Sequence, residues 1–244
     1  MVWREWLKGR VETILVVAAE AFELRAFLSR LDGRRRVQSP LRFLWAGEWN
    51  GRQWLLAADG PGPVLAARAA EHAAAHAQID RVVSTGLCGA LDPALQPGDV
   101  FIATEVVALD SGKTFAAAPA ATVRPHHTGV LASLDRVVGI KREKQDLFNH
   151  GAQAVEMEAA GVAGWAQAHG RPFHCIRAVS DSADEDLPID FNRVRGPSGR
   201  FECWKVIPET MHRPFRAIPG LFQLARRSAL CAQAIGESLA DCQF

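Results

Sequence analysis

Short apolar runs with polar flanks recur along this chain and limit the folds that it can adopt. The first is Thr13–Ala19, and Arg81–Thr85 and Phe173–Val179 have the same character. A strand without hydrophilic alternation is typical of a parallel sheet that helices cover on both faces. Helical patterns lie next to these runs, as at Glu20–Leu31 and Glu158–Ala168. We therefore predict an α/β fold, a three-layer sandwich with a central mixed, mainly parallel sheet.

Local signals predict the other elements. Asn50-Gly51 favours a type I′ turn and hence a hairpin between the strands on either side. The basic run Arg34–Arg36 predicts a solvated turn, and the poorly patterned Asp110–His127 predicts a loop whose role as a lid stays open. No linker or repeat interrupts residues 1–244, so we predict a single domain. The further predicted strands are Leu41–Glu48, Arg52–Ala58, Val100–Val107, Val130–Leu134, Val137–Ile140 and Ala152–Glu156, and the further helices run from Gly60–Pro63 to about His76, over Lys141–Asn149 and from Pro219 to Ala240.

Composition and charge exclude several classes of protein. With 48% hydrophobic and 23% charged residues, the 244-residue chain is globular and not disordered. A net charge of +1 gives no reason to expect nucleic acid as a partner. No apolar run approaches the ~18 residues that stable membrane insertion requires. The five cysteines lack metal-ligand spacing, as do His126 and His127, so we predict no metal site and no cofactor. Met1–Arg10 carries charges instead of a signal-peptide core, so we expect a cytoplasmic protein.

Three carboxylates follow predicted strands, namely Glu23, Glu158 and Asp181. In open α/β sheets, ligands bind outside the carboxyl ends of the strands, so these acids are expected to meet at one rim. Such a set suits the cleavage of a glycosidic bond, in which one acid protonates the leaving group, another positions water and a third binds sugar hydroxyls. Glu158 taken alone has a structural explanation as well, because acids favour the first turn of a helix.

Two acidic segments carry a resemblance to a known family. Ala154–Ala160 (Ala-Val-Glu-Met-Glu-Ala-Ala) and Arg177–Asp184 (Arg-Ala-Val-Ser-Asp-Ser-Ala-Asp) resemble the hallmark segments of the nucleoside phosphorylase superfamily. That superfamily includes purine nucleoside phosphorylases and methylthioadenosine/S-adenosylhomocysteine nucleosidases. Ser84–Leu91 and Ala18–Leu24 resemble its glycine-rich strand–loop and its first strand–helix turn, so the likeness spans about Thr13 to Asp184.

Two further segments resemble one branch of the superfamily most closely. These are Gly60–Pro63 and Leu134–Val138, the latter leading into a Glu/Lys-rich helix. They are similar to the hopanoid-associated phosphorylases, which are thought to act as nucleosidases on adenosylhopane. This likeness implies a substrate with a large apolar 5′ substituent, for which the Ala116–Thr122 loop and Trp204 are the expected channel walls.

The resemblance implies a role for each acidic residue. Asp181 matches the acid that protonates or hydrogen-bonds N7 of the leaving purine, and Ser180 precedes it as an orienting group. An aspartate in water is ionised at neutral pH, so Asp181 would need burial or a nearby carboxylate to hold a proton. Glu158 matches the ribose-binding glutamate, and Glu23 matches the acid that activates water. The other implied contacts are Met157 on the sugar face, Glu156 on the sugar or holding the loop, Val137 and Val138 around the purine, and Gly86, Leu87, Cys88 and Gly89 around the nucleophile.

Leu87 bears on the reaction class. The family often has serine or threonine there to bind phosphate or water, and hexameric phosphorylases carry an arginine where this chain has Ser84. A phosphate dianion needs several donors or cations. Backbone N–H groups around Gly86–Gly89 would compensate in part, and no sequence argument places Arg25 or Arg68 at the site, so we predict hydrolysis of a purine nucleoside, with adenine as the expected base. The alternatives are a phosphate-dependent purine nucleoside phosphorylase and a non-catalytic nucleoside-binding protein, the latter suggested by Leu87 and Val137.

The expected partners are a small nucleoside and further copies of this chain. The family association and the seven tryptophans indicate a homodimer or a larger homo-oligomer, because tryptophan is common at protein interfaces. No sequence feature selects the order of the assembly.

Overall fold

A ten-stranded mixed sheet organises the molecule. The structure is a computed structural model that describes residues 11–211 and 214–244, so the prediction made for Met1–Arg10 lies outside the described residues. The strands are β1 (Thr13–Ala18), β2 (Asp32–Arg36), β3 (Phe43–Trp49), β4 (Arg52–Ala58), β5 (Arg81–Ala90), β6 (Val100–Ala108), β7 (Lys113–Ala116), β8 (His127–Ser133), β9 (Ala154–Glu156) and β10 (Phe173–Asp181). The helices are α1 (Ala21–Leu28), α2 (Pro63–Ala74), α3 (Lys141–Asn149), α4 (Ala159–Ala168), α5 (Phe191–Val194), α6 (Val206–Met211) and α7 (Pro214–Asp241), and Cys203–Lys205 forms a short 3-10 helix.

Strand β5 connects the two parts of the sheet. It pairs in parallel with β1 on one side and with β10 on the other, and its last residues pair with β9 in antiparallel fashion. From β10 the sheet continues through β6 and β8 back to β9, so these strands form a closed circuit, whereas β1, β4, β3 and β2 form an open extension. Strands β4, β1, β5 and β10 are parallel and end at one rim. The predicted mixed α/β fold around a central sheet is confirmed.

Helices cover the sheet on both faces, as the continuous apolar runs predicted. In β1, Leu15 and Val17 pack into a core shared with alanines of α2 and α4, while Ile14 and Val16 pack into a second core that includes residues of α1 and α7. Every residue of β1 is buried. The strand is therefore apolar throughout because it faces a helical layer on each side.

Some local predictions were wrong. Val137–Ile140 is an extended connection and not a strand, because the side chain of Asn192 holds both the N–H and the C=O of Val137. Arg34–Arg36 is exposed as expected, but it belongs to edge strand β2 and not to a turn. Basic side chains suit such an edge, because they discourage pairing with another chain. Helix α7 begins at Pro214 and contains Pro219, where the helix had been predicted to start.

The stretch predicted as a patternless loop, Asp110–His127, contains strand β7 and pairs with other elements. The N–H of Ala118 donates to the carbonyl of Phe173 at the start of β10, and Ala120 is buried. This places the Ala/Pro-rich segment at the opposite end of β10 from Asp181. No helix in the described part of the chain is long and apolar enough to cross a bilayer.

Candidate active site

The carboxyl ends of β1, β5, β9 and β10 surround a cavity of about 320 Å³. Glu23 reaches it from the first turn of α1, Glu158 from the start of α4 and Asp181 from the end of β10. The acids that were predicted to meet at one rim therefore line one cavity. The other predicted site residues that line it are Leu87, Cys88, Gly89, Val137, Val138, Glu156, Met157 and Ser180.

Glu23 is a buried carboxyl group held by two backbone donors. The N–H of Glu20 donates to its Oε2 at 2.7 Å, and the N–H of Leu87 donates to its Oε1 at 3.0 Å. Burial raises the pKa of Glu23 to about 7, against a smaller opposing effect of these N–H groups and of Arg177. A carboxylate whose pKa lies near neutrality is suited to take a proton from water.

Arg177 is the cation at the centre of this group of acids. It projects from β10, is fully buried and donates from Nη2 to a carboxylate oxygen of Glu156 and to Oγ of Ser84, the latter at 2.7 Å. Its Nη1 lies 3.9 Å from Oε2 of Glu158 and donates no hydrogen bond to the described part of the protein. Arg177 is the first residue of the acidic segment Arg177–Asp184, but the sequence predicted no role for it.

Glu156 joins Arg177 to the start of helix α4. Its Oε2 accepts from the N–H of Glu158 at 2.8 Å and from that of Ala159 at 2.9 Å. A carboxylate at this position also interacts favourably with the helix dipole. With Arg177 bound as well, Glu156 is occupied by protein donors. This arrangement agrees with the role of holding the loop, which was one of the two roles that the sequence left open.

Gly86 brings Glu23 and Arg177 together over the backbone of β5. Its φ angle is +138°, a conformation that favours glycine. A Cβ at this position would lie 2.8 Å from Nη1 of Arg177 and 2.8 Å from Oε1 of Glu23. No side chain therefore fits between the two charged groups.

Glu158 faces the same space from the other side. Its Oε1 accepts a hydrogen bond from the N–H of Gly62 at 3.0 Å, just before α2. Burial and the neighbouring Glu156 raise the pKa of Glu158 to about 8, while Arg177 opposes the shift. Its second oxygen, Oε2, is directed toward Arg177 at a distance longer than a hydrogen bond. A carboxyl group so placed can accept hydrogen bonds from a bound polyol.

Asp181 is buried, as its expected role requires, but its charged neighbour is not a carboxylate. The Oγ of Ser180 donates to Oδ1 at 2.6 Å, and the ammonium group of Lys144 donates to Oδ2 at 2.5 Å. Sequence reasoning missed Lys144 because a lysine among charged residues is expected to face solvent, although Leu147 and Phe148 of α3 pack against a core on the same face. Cys88 lies beside this group, and burial raises the pKa of its thiol well above the usual range, so it is a neutral lining group.

The remaining wall of the cavity is apolar. The two segments that were expected to form this wall do not form it. Trp204 is 66% exposed and does not line the cavity, and Ala116–Thr122 lies at the other end of β10. Val137 lines the cavity, but Asn192 occupies its backbone N–H and C=O, so these groups are not free to bind a base. The apolar wall comes from Phe22, Leu187, Phe191, Phe201 and Leu224.

Donors for a phosphate group are few at this site, and Arg136, an arginine that lines the cavity, is paired with Glu143. Arg68 is engaged with Asp59, Arg25 is exposed, and neither lines the cavity. Leu87 offers an apolar side chain, and its N–H is already bound to Glu23. Within residues 11–211 and 214–244, no group of three or more His, Cys, Asp or Glu side chains is placed to hold a metal ion.

Comparisons with known proteins show the family and the fold of the chain. A family model described as the phosphorylase superfamily matches residues 13–124 and 111–195. A 5′-methylthioadenosine/S-adenosylhomocysteine nucleosidase of Actinobacillus succinogenes is 26% identical over 219 residues, which are 79% of this chain and 95% of the relative. Two solved structures are also similar in fold. The S-adenosylhomocysteine nucleosidase of Streptococcus pyogenes in complex with 5-methylthiotubericidin has a TM-score of 0.74 at 19% identity and covers 96% of this chain and 97% of its own. A 5′-methylthioadenosine/S-adenosylhomocysteine nucleosidase of Neisseria meningitidis in complex with methylthio-immucillin-A has a TM-score of 0.68 at 25% identity and covers 93% and 100%.

Proposed function

We propose, from the premise that this chain belongs to the phosphorylase superfamily, that it hydrolyses the N-glycosidic bond of a purine nucleoside. We propose adenine as the base, because the similar nucleosidases are named for methylthioadenosine and S-adenosylhomocysteine, which both contain adenine. The observation that carries the proposal is the placement of Glu23, Glu158 and Asp181 around one cavity, with Arg177 buried behind them, 3.9 Å from Glu158. These groups supply a base, a sugar-binding carboxyl, an acid and a fixed cation.

Breaking the bond between C1′ and the purine leaves positive charge on the sugar and negative charge on the base. We assign Asp181 to N7, where a proton neutralises the leaving purine. We assign Glu158 to the 2′ and 3′ hydroxyls of the ribose, and Met157 to the sugar face. In their ionised form, the buried carboxyl groups near the ribose stabilise an oxocarbenium-like transition state by their negative charge.

Glu23 and Arg177 are the groups that we assign to the nucleophile. Water between them would give its proton to Glu23 and its oxygen would accept from the free Nη1 of Arg177. Phosphate is a poorer occupant, because Glu23, Glu156 and Glu158 place three carboxyl groups around Arg177, and the buried ammonium group of Lys144 is bound to Asp181. Leu87 adds no donor to this balance. These charges support hydrolysis over phosphorolysis.

The apolar wall supports a large apolar group on the 5′ carbon of the substrate. Phe191, Phe201 and Leu224 line the same cavity as the polar groups that we assign to ribose and base. Burial of hydrocarbon on such a wall contributes about 25 cal/mol per Å² of apolar surface removed from water. A long hydrocarbon substituent, as in the hopanoid-like substrate, would gain most from it.

One experiment separates the candidate functions. The protein is incubated with a panel of 5′-substituted adenosines, with and without phosphate, and the base and sugar products are identified. We expect free adenine and free sugar in both conditions, with kcat/KM rising as the 5′ substituent becomes more apolar.

A sugar 1-phosphate that forms only with phosphate would establish a phosphorylase instead. Binding of adenosine without release of base would establish a nucleoside-binding protein. If adenosine and inosine are cleaved faster than every apolar derivative, the 5′ assignment is wrong.

We also propose that the chain works as a homodimer or a larger homo-oligomer in the cytoplasm. Support comes from large apolar side chains that remain exposed on α6 and α7, such as Phe215 and Phe222. Exposed apolar patches of this kind are common where proteins associate.

A further inference from the structure

Lys144 is a buried lysine on helix α3, most of whose residues are charged or polar. It is the one residue of α3 that is fully enclosed, and its side chain is 0% exposed. Its ammonium group donates to Oδ2 of Asp181 at 2.5 Å, to the carbonyl of Ser182 at 2.7 Å and to that of Glu185 at 3.2 Å. All three ammonium hydrogens therefore have an acceptor.

Anchoring a helix does not require this arrangement. Removing an ammonium group from water is costly unless it is paired and fully hydrogen-bonded, and a leucine or methionine would bury α3 at lower cost. The ion pair joins Lys144 to Asp181, the residue that we assign to N7 of the purine, and not to an acid on the surface. An ionised Asp181 cannot donate a proton, so a proton must reach it before it can neutralise the base.

We propose that Lys144 is a positioning residue that acts through Asp181 and supplies the proton for N7 of the leaving purine, an inference that rests on the proposed function. As the bond from C1′ to the base breaks, an Nζ–H bond of Lys144 breaks and an Oδ–H bond of Asp181 forms. That Oδ–H bond then breaks as the N7–H bond forms. Lys144 becomes neutral, Asp181 returns to the carboxylate form and the purine leaves without charge.

The proton lost by Lys144 returns from solvent. A second cavity of about 310 Å³ adjoins the first through Asp181, Leu187 and Leu224. Glu185 and Arg227 also line this second cavity, and the carbonyl of Glu185 is one of the three acceptors of the Lys144 ammonium. Asp181 therefore borders both cavities, and we assign the first to the substrate and the second to proton exchange.

The test compares a leaving group that needs a proton with one that does not. Lys144→Met is assayed on adenosine, or on the best adenosine derivative, and on 4-nitrophenyl riboside, whose nitrophenolate leaves without protonation. Asp181→Asn serves as the reference for loss of the acid, and Lys141→Met, on the exposed side of the same helix, is the matched control. Thermal unfolding of every variant is recorded, and Lys144→Gln replaces Lys144→Met if the latter does not fold.

We expect Lys144→Met to lower kcat on adenosine by about 10²–10⁴-fold, as Asp181→Asn does, with a smaller change in KM. Cleavage of the nitrophenyl riboside should change by less than about tenfold. Lys144→Arg keeps the charge and the donors but does not release a proton, so its kcat on adenosine should stay low.

Three results would overturn the assignment: equal loss on both substrates, no loss on either, or full recovery by Lys144→Arg. Failure of the proposed function is a different outcome, because the unsubstituted protein would then release no base from any nucleoside.

Discussion

Asp181, the last residue of β10, and Asp184, three positions later, offer a matched pair at the scale of single residues. Asp181 is buried and bonded to Ser180 and Lys144, whereas Asp184 is exposed. We expect Asp181→Asn to lower kcat on purine nucleosides by about 10²–10⁴-fold, because the amide cannot pass a proton to N7. Asp184→Asn should keep activity close to that of the unsubstituted protein. Steady-state kinetics on one substrate panel measure both, and near-normal turnover of Asp181→Asn would remove it from the mechanism.

Glu23 links the chemistry of the site to the stability of the fold. In the unfolded chain its pKa is about 4.5, and in the folded protein burial raises it to about 7. Between these values the folded state holds a proton that the unfolded state has released, so the free energy of unfolding falls as the pH rises through this window. The burial of Glu23 is therefore tolerated at acidic pH and becomes unfavourable once its carboxyl group is ionised.

The variant Glu23→Gln removes this dependence, since an amide does not titrate. Relative to the unsubstituted protein, we expect the free energy of unfolding of Glu23→Gln to improve by about 2 to 3 kcal/mol between pH 5 and pH 8. The free energy of unfolding of Glu23→Gln at any one pH also depends on the amide group, because its single oxygen cannot replace both carboxylate oxygens as acceptors of the hydrogen bonds from the N–H groups of Glu20 and Leu87. Urea denaturation at several pH values gives the difference. Parallel stability curves for the two proteins would show that Glu23 does not change its ionisation in this range.

At the scale of elements, helix α4 contains two glycines in very different surroundings. A Cβ at Gly161 would lie 2.0 Å from the carbonyl oxygen of Pro63 at the start of α2, whereas a Cβ at Gly164 would lie 4.0 Å from its nearest neighbour, on Phe115. The close approach of the two helices matters for the site, because Gly62 precedes Pro63 and donates to Glu158.

We therefore expect Gly161→Ala to lower the free energy of unfolding by about 1–3 kcal/mol and to raise KM, since α2 must move away from α4 and carry the donor of Gly62 with it. Gly164→Ala should be neutral or stabilising by up to about 1 kcal/mol, because alanine favours the helix and meets no clash. Chemical denaturation and kinetics of both variants check this. Equal effects of the two substitutions would mean that the contact between α2 and α4 does not limit the packing.

The elements differ in how far sequence alone predicted them. Thr13–Ala18 was identified because a strand enclosed on both faces is apolar at every position, and the acids that follow such strands had to share a rim. Val137–Ile140 was wrongly predicted as a strand, since its conformation depends on Asn192, which is distant in sequence. Lys144 was missed for a related reason. A lysine is normally a surface residue, and the two apolar residues of this helix, Leu147 and Phe148, are too few to show from sequence that Lys144 shares their buried face and meets Asp181.

At the scale of the whole molecule, the exposed apolar surface is unevenly distributed. More than half of the exposed large hydrophobic side chains in the described part of the chain fall within residues 204–230, including Phe215 at 95% and Phe222 at 75% exposed. A two-fold symmetric contact lets one such patch cover its own copy on a second subunit, which removes apolar surface from water without a second complementary site.

We accordingly expect the 26.6 kDa chain to sediment as a dimer or larger species at micromolar concentration. The double variant Phe215→Glu, Phe222→Glu should shift this equilibrium toward monomer, because burying the new carboxylates in a symmetric contact requires their desolvation. Val123→Glu is the control, since Val123 is equally exposed at 95% but lies outside this surface. Sedimentation equilibrium of the three proteins distinguishes the cases. A monomer at every concentration would refute the predicted assembly, and a dimer that survives the double substitution would place its interface elsewhere on the molecule.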